Sequence, residues 1–204
     1  MPADYKADTL AAYEAEPEHF VKKFFDAFNL KTRTEFGKII ELVPRDSLIL
    51  DVGCAGGAHS EYFTKQGLRV IGIDLSPALV TIAKRKGLDA RVMDYEALTF
   101  PDQTFDCVFC NASLLHTPKA RLAPVLIGLA RILRPGGLLF VKVKEGEGEQ
   151  YVTEHGTKRF FSFWQMDELV ETLGNQFTVF EFYKDSDQKT VWLNVFCRKE
   201  AAHG

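Results

Sequence analysis

The alternation of short apolar runs with amphipathic stretches constrains the fold of this chain more than any other feature. A largely apolar run over Ser47–Val52 precedes a helical pattern over 58–66, and the run Arg69–Ile73 precedes another over 77–86. Strands that are covered on both faces are apolar along their whole length, and parallel strands need crossover connections, which are usually helices. The pattern therefore predicts an α/β fold with a parallel sheet.

The rest of the chain extends this prediction and adds a cap at its start. Residues 7–43 carry apolar side chains at helical spacing, including Phe20, Phe24, Phe25 and Phe28, which predicts helices closing one end of the sheet. Further predicted strands cover 89–93, 105–110, 137–143, 177–183 and 190–198, with helices over 119–133 and 165–173. The polar turn 184–189 favours an antiparallel hairpin at a sheet edge. We expect one domain with a helical cap (1–46), a cofactor-binding core (47–144) and a substrate-side lid, helix and hairpin (145–204).

Composition excludes several classes of protein. With 46% hydrophobic and 26% charged residues the chain resembles an ordinary soluble domain, and its net charge of -3 argues against a broad nucleic-acid surface. No stretch has membrane-spanning length or the pattern of a signal peptide, so we expect a cytoplasmic protein. Cys107 and Cys110 form a C-x-x-C inside a predicted strand, where residues three apart point to opposite faces. We expect buried thiols and no metal site.

Polar and glycine residues follow the predicted strands in turn. Gly53, Gly56 and Gly57 follow the first strand, and a helix start beyond them offers free N–H groups to an anionic ligand. A tight strand-to-helix turn would explain these glycines equally well if they stood alone. Asp74 ends the second strand, seventeen positions after Gly57, where a carboxylate accepts both hydroxyls of an adenosine ribose.

Asp94 and Asn111 follow the third and fourth strands. Because ligands of open parallel sheets bind beyond the carboxyl ends of the strands, these positions together predict a nucleotide-type cofactor site. Two residues favour S-adenosylmethionine over a nicotinamide dinucleotide. Asp51 suits a cationic amino group, and Ala55 stands where a dinucleotide loop has its middle glycine.

Four ordered segments resemble the motifs of class I S-adenosylmethionine-dependent methyltransferases: Leu50–Gly57, Gly72–Ser76, Phe105–Val108 and Leu133–Gly137. The resemblance implies a doubly wound, seven-stranded, mostly parallel sheet in the order 3-2-1-4-5-7-6, with the last strand antiparallel. It also implies that the glycine loop holds the methionine part, that Asp74 binds the ribose and that Asp94 and Tyr95 recognise the adenine. The predicted cofactor-binding residues are Asp51, Gly53, Ala55, Gly57, Asp74, Leu75, Asp94, Tyr95, Asn111 and Tyr13.

Catalytic and substrate residues are predicted on weaker grounds. His116 is the candidate general base, with a structural histidine as the alternative, while His59 and His155 are weaker candidates. Tyr5 and Tyr13 either pack in the cap or point their hydroxyls into the cleft. The predicted substrate residues lie in the segment that follows the fifth strand: Lys144, Arg159, Phe160 and Trp164. In the alternative interpretation, the aromatic residues of this segment only pack the next helix against the sheet.

The expected activity is methyl transfer from S-adenosylmethionine to a small molecule. An alternative is a transfer RNA methyltransferase acting on wobble uridine, on a sparse resemblance at Arg159–Phe161, Glu168–Leu169 and Trp192. The acidic charge balance argues against RNA, because RNA-binding surfaces need cations for the phosphates. A domain that binds the cofactor without turnover is a third option. The sequence leaves open whether the acceptor atom is oxygen, nitrogen, sulfur or carbon.

Overall fold

A computed structural model describes residues 4–27, 34–154, 156–187 and 190–201, without the side chains of residues 24–27. Phe28 and His155, and the side chains of Phe24 and Phe25, therefore lie outside the described residues, as do positions 188 and 189 of the predicted turn. The helices are α1 Tyr5–Ala15, α2 Pro17–Ala27, α3 Thr34–Leu42, α4 Ala58–Lys65, α5 Pro77–Arg85, α6 Lys119–Ile132 and α7 Met166–Gly174. The strands are β1 Leu48–Val52, β2 Arg69–Asp74, β3 Ala90–Val92, β4 Phe105–Asn111, β5 Leu133–Lys144, β6 Glu149–Glu154, β7 Thr157–Ser162, β8 Thr178–Ser186 and β9 Val191–Arg198.

Seven strands form the main sheet in the order β3-β2-β1-β4-β5-β9-β8. The pairs from β3 to β5 are all parallel, and β9 runs antiparallel to both of its neighbours. Since β8 and β9 are the sixth and seventh strands of this sheet along the chain, the predicted order and the antiparallel last strand are confirmed. The carboxyl ends of β1, β2, β3 and β4 therefore share one edge, where the predicted cofactor residues lie.

Helices cover both faces of the sheet, and alternate residues of β4 show this directly. Val108 and Cys110 join one apolar cluster with residues of α6 and α7, whereas Cys107 and Phe109 join another with residues of α3 and α4. The two thiols thus point to opposite faces, as predicted, and all four cysteines are buried. Within the described ranges, no helix is long and apolar enough to cross a membrane.

The sequence did not predict the hairpin of β6 and β7, which forms a second sheet of its own. The segment that leads into it, 145–149, is rich in glycine and glutamate and carries no strand pattern. The hairpin is ordered by packing, because β7 buries Phe160 and Phe161 and donates a backbone hydrogen bond from Phe160 to Thr9 Oγ1 of α1 (3.1 Å). It thereby joins the N-terminal cap to the edge of the cofactor crevice.

Candidate active site

The loop between β1 and α4 adopts backbone angles that favour glycine at three positions. Gly53 and Gly57 have φ of +72° and +80°, and Ala55 has φ of +47°. A side chain at Gly53 would also place its Cβ 2.6 Å from Cβ of Ser113, so only glycine fits there. The Ala55 amide donates to Asp74 Oδ2 at 2.9 Å, which ties the loop to the end of β2.

A cavity of about 770 Å³ opens at this edge of the sheet. Eight of the ten predicted cofactor residues line it: Gly53, Ala55, Asp74, Leu75, Asp94, Tyr95, Asn111 and Tyr13. Among the other predicted residues, His116, Lys144 and Arg159 also line it. Asp51, Gly57, Phe160 and Trp164 do not appear among the lining residues. Gly57 instead caps α4, and the side chains of Phe160 and Trp164 are buried in packing.

Asp51 lies buried beneath the glycine loop. Its Oδ2 accepts a hydrogen bond from Ser60 Oγ at 2.7 Å, while Oδ1 has no partner among the residues described. Burial raises the pKa of Asp51 to about 7, with the charge of Asp74 adding to the rise and the Ser60 hydrogen bond opposing it. This carboxylate is therefore poised to gain from a cationic group above it.

Asp74 is the last residue of β2, and both of its carboxylate oxygens are held by hydrogen bonds. Its carboxylate accepts from the amides of Ala55 and Ser76, each at 2.9 Å. Burial nevertheless raises the pKa of Asp74 above its ordinary value, and these backbone hydrogen bonds oppose the rise. A carboxylate with two fixed hydrogen bonds retains acceptor capacity for two hydroxyl groups, as a ribose would require.

The cap reaches across the cavity at the end of β3. Lys6 of α1 forms an ion pair with Asp94 at 2.6 Å and with Glu96 at 3.0 Å. Tyr5 of the same helix donates its hydroxyl to Glu96. Both tyrosines of the cap, Tyr5 and Tyr13, contribute to the cavity lining. Packing in the cap and a position at the cleft are therefore compatible for these residues.

His116 belongs to a chain of hydrogen bonds that fixes its tautomer. Its Nδ1 lies 2.6 Å from the carbonyl oxygen of Phe160, which can only accept, so Nδ1 carries the proton. Nε2 therefore accepts from the Tyr13 hydroxyl at 2.9 Å, and Arg159 donates to the same hydroxyl at 3.2 Å. Burial is the main cause that lowers the pKa of His116 to about 3; the positive charges of Arg159 and Lys144 act in the same direction, and the hydrogen bond to Phe160 opposes them. The imidazole is neutral at pH 7.

Two polar side chains at the end of β4 lie buried without partners. Both amide atoms of Asn111 and the hydroxyl of Ser113 make no hydrogen bond within the part of the chain that the structure describes, and both residues line the cavity. Unsatisfied buried polar atoms are costly, so such a cluster facing a cavity indicates a ligand that completes it.

Residues 50–141 match the family described as "Methyltransferase domain". The matched segment holds the glycine loop and the ends of β1, β2, β3 and β4. The described site fits S-adenosylmethionine, the methyl donor predicted from the sequence. The carboxylate of Asp51 suits the amino group of the donor, and the carboxylate of Asp74 suits its ribose hydroxyls. Asn111 and Ser113, which have no hydrogen-bond partner among the residues described, suit other polar atoms of the donor.

Known proteins similar to this chain include O-methyltransferases of ubiquinone biosynthesis. A ubiquinone biosynthesis O-methyltransferase of Xanthomonas oryzae pv. oryzae is 34% identical over 146 residues, which is 62% of this chain and 60% of that protein. The enzyme of the same name from Xylella fastidiosa is 38% identical over 100 residues, 46% of this chain and 40% of that protein. The chain thus spans less than two thirds of the length of either relative.

A solved structure with the same fold matches almost the whole chain. It is the 1,6-didemethyltoxoflavin-N1-methyltransferase of Burkholderia thailandensis, with bound 1,6-didemethyltoxoflavin and S-adenosylhomocysteine. Its TM-score is 0.79 at 24% identity, covering 98% of this chain and 91% of that one. The likeness in fold extends to the cap and the terminal strands, which lie outside the family match.

Several residues of the site were not predicted from the sequence. Ser60 lies one turn inside α4 and Ser113 follows β4, so their positions after strands were the available signal. Lys6 and Trp192 reach the cavity from the two ends of the chain. Their contribution depends on how α1 and β9 pack against the core, which no local motif reveals.

Proposed function

We propose that this protein is an S-adenosylmethionine-dependent methyltransferase that methylates an oxygen atom of a small molecule. The observation that carries the proposal is the composition of the cavity. Donor-side residues at the ends of β1 to β4 share it with a second set supplied by α2, β5, β7 and the turn into β9. We call this set the acceptor half, defined by Lys23, Lys144, Arg159, Phe161, Asp187 and Trp192.

The names of the two relatives support oxygen as the acceptor atom, and the name of the similar structure supports a small acceptor. Both relatives reported above are named O-methyltransferases, whereas the similar structure is an N1-methyltransferase with 1,6-didemethyltoxoflavin bound. None of these three names supports the transfer RNA alternative. The acceptor half is also enclosed by α1 and the β6–β7 hairpin, which suits a small compound better than a polynucleotide.

When bound, S-adenosylmethionine supplies an electrophilic methyl group on a sulfonium sulfur. The protein's own residues hold the two partners in one cavity and exclude water from it, which accounts for most of the rate that a displacement of this kind needs. In the net reaction the acceptor oxygen bonds to the methyl carbon, the bond from carbon to sulfur breaks, and the acceptor's hydroxyl proton is lost.

The sequence suggests His116 as a general base, but its surroundings favour a role in hydrogen bonding. The burial that keeps it neutral also opposes the charge it would gain with a proton. Its two nitrogens instead join Tyr13 to the Phe160 carbonyl. We therefore expect His116→Ala to weaken acceptor binding more than it lowers turnover at saturating acceptor, whereas a required base would lose mainly turnover.

The test of the proposed function is donor binding followed by label transfer. Calorimetry with S-adenosylhomocysteine should give saturable binding to the wild type and at least about tenfold weaker binding to Asp74→Ala, because a lost charge-assisted pair of hydrogen bonds costs more than 1.4 kcal/mol. Asp102→Ala, an acid on the far side of the core that pairs with Arg131, serves as the matched control and should bind normally.

The acceptor class is tested with methyl-labelled donor. The protein is incubated either with an extract of small metabolites or with bulk transfer RNA, and the labelled product is separated by size. Label in small organic products supports the proposal. Label found only in RNA, or donor binding that Asp74→Ala leaves unchanged, overturns it.

A further inference from the structure

Lys144 is the cation of the acceptor half for which the structure describes no carboxylate partner. Lys23 and Arg159 both pair with Glu154, in the second case at 2.5 Å. Lys144, at the end of β5, has no ion pair within the described ranges, although it is half-buried and lines the cavity. An ammonium in such a place has lost part of its hydration without a replacement.

The charges that face Lys144 leave the acceptor half positive. Three cations, Lys23, Lys144 and Arg159, are opposed there by two carboxylates, Glu154 and Asp187, so the described side chains carry one positive charge in excess. Burial is the main cause that lowers the pKa of Lys144, and the charges of Arg159 and Lys23 act in the same direction, against Asp187 and Glu154. A bound anion would relieve both the repulsion and the lost hydration.

Two aromatic rings flank the same ammonium. Nζ of Lys144 lies 4.4 Å from the ring centre of Phe161 and 5.8 Å from that of Trp192. The indole Nε1 of Trp192 donates to Asp187 at 3.0 Å, which fixes the orientation of that ring. Fixed aromatic walls favour a flat ligand, since rings stack or meet edge to face at short range.

From these contacts we infer that the acceptor half binds a flat phenol or enol in its ionised form, with the negative oxygen at Lys144 Nζ between Phe161 and Trp192. The inference rests on the proposed function and names its substrate class. The hydroxyl proton leaves to solvent as the acceptor binds. In the transfer step the oxyanion forms the bond to the methyl carbon as the bond from carbon to sulfur breaks, giving a neutral ether and a thioether. That step needs no protein base, in keeping with His116, whose Nε2 already accepts from the Tyr13 hydroxyl.

A chromogenic phenol tests this without any methyl transfer. 4-Nitrophenol absorbs differently as phenol and phenolate, so its apparent pKa can be read on the protein saturated with S-adenosylhomocysteine. We expect binding to lower that pKa by about one unit, equivalent to roughly tenfold tighter binding of the phenolate than of the phenol. 4-Nitroanisole, which is flat but cannot ionise, should bind at least about tenfold more weakly than the phenolate.

Variants of the lysine locate the effect. Lys144→Met should abolish the pKa shift, and Lys144→Arg should retain most of it because the charge is kept. Lys158→Met is the matched control, since Lys158 pairs with Asp8 and is absent from the cavity lining, and it should leave the shift unchanged.

Three results would overturn the inference: no saturable binding of the phenolate, a bound pKa equal to or above the free value, or a shift that survives Lys144→Met. Each of them is compatible with normal donor binding and with methyl transfer to a neutral acceptor. Loss of the proposed function itself would show in the donor calorimetry and the label assay instead.

Discussion

At the scale of single residues, Asp51 shows how the site trades stability for binding. Its carboxylate is buried under the glycine loop with one oxygen unpartnered among the residues described, and its pKa is raised from the ordinary 3.8 to about 7. A raised acid pKa in the folded state means that the stabilising contribution is fully present below about pH 4 and is lost as the pH rises through about 7. Ionised Asp51 thus lowers the stability of the free protein, and a cationic ligand offsets this loss.

Asp51→Asn should make the free protein more stable and the donor complex weaker. At about pH 8 we expect the free energy of unfolding to rise by on the order of 2 kcal/mol, with a smaller rise at about pH 6, because the wild-type carboxyl is mostly protonated there. S-adenosylhomocysteine should bind less tightly because its amino group loses an anionic neighbour. Thermal unfolding at the two pH values and calorimetry measure the two effects.

Proton release gives the same prediction an independent check. Near neutral pH, donor binding to the wild type should release a fraction of a proton from Asp51, seen as a dependence of the binding enthalpy on the ionisation enthalpy of the buffer, and Asp51→Asn should lack this fraction. Asp102→Asn, at an exposed acid, should behave like the wild type. Equal release by Asp51→Asn and wild type would show that Asp51 stays ionised or protonated throughout.

Ala55 carries a backbone conformation better suited to glycine. At φ of +47° the Cβ of Ala55 strains the backbone by about 1 kcal/mol, which glycine would relieve. Glycine is also more flexible in the unfolded chain, and this offsets part of the gain in stability. We expect Ala55→Gly to raise the free energy of unfolding by about 0.5 kcal/mol in urea unfolding. Ala130→Gly inside α6 is the control and should lower it by about 0.5–1 kcal/mol. A destabilised Ala55→Gly would mean that the alanine methyl group makes contacts worth more than the strain.

At the scale of helices and strands, local pattern predicted some elements and not others for identifiable reasons. The central strands were predictable because both faces are buried, which makes runs such as that of β4 largely apolar. Ser76 and Pro77 marked the start of α5, and the Ser76 side chain does accept from the Leu79 amide. The acids at strand ends were predictable for a related reason, since parallel topology alone brings them together.

The β6–β7 hairpin and the hydrogen bonds of His116 were not predictable in this way. β6 is largely polar, and it is ordered by long-range packing of β7 against α1. The chain from Arg159 through Tyr13 to His116 joins three distant segments, so neither its geometry nor the resulting tautomer has a local signal. Sequence identified the residue types, whereas their roles depend on tertiary distances.

β5 contributes Lys142 to a cluster of three charged side chains that lies outside the cavity lining. Lys142 is almost fully buried, 2.9 Å from the equally buried Glu35 of α3 and 2.7 Å from Asp185 of β8. Lys142→Met removes the cation that pairs with both carboxylates, one of them fully buried, so it should lower the free energy of unfolding by about 3 kcal/mol. Glu35→Gln should cost less, because Lys142 keeps Asp185. Donor affinity of the folded protein should be unchanged in both.

The double variant Lys142→Met with Glu35→Leu is the control for this cluster. Replacing a buried pair by apolar side chains is often close to neutral, so the double variant should be more stable than Lys142→Met alone. Urea unfolding measures all three variants. If Glu35→Gln costs as much as Lys142→Met, Asp185 does not compensate the lysine and the cluster is a simple pair.

At the scale of the whole molecule, three separate parts of the chain build the one cavity. The core supplies the donor-side loop, α1 supplies a wall, and the acceptor half comes from α2, β5, β7, β9 and the turn before β9. Polar contacts rather than a large apolar face tie α1 down: Lys6 to Asp94, Thr9 to β7, and Glu14 to Ser76 at the start of α5. An element held in this way opens locally more easily than the core.

Donor binding should therefore protect α1 more than any other element. If the donor binds only while α1 is closed, its openings become rarer by about the factor 1 + [ligand]/Kd, or roughly 100-fold at a ligand concentration 100 times Kd. Hydrogen exchange of Tyr5–Ala15 should slow by that factor with S-adenosylhomocysteine, whereas α7, which contributes nothing to the described cavity lining, should slow only through global unfolding. Asp74→Ala at the same ligand concentration should show little protection of α1, because fewer sites are filled. Slower exchange in the glycine loop with unchanged exchange in α1 would show that the donor binds with the cap open, and that α1 serves the acceptor alone.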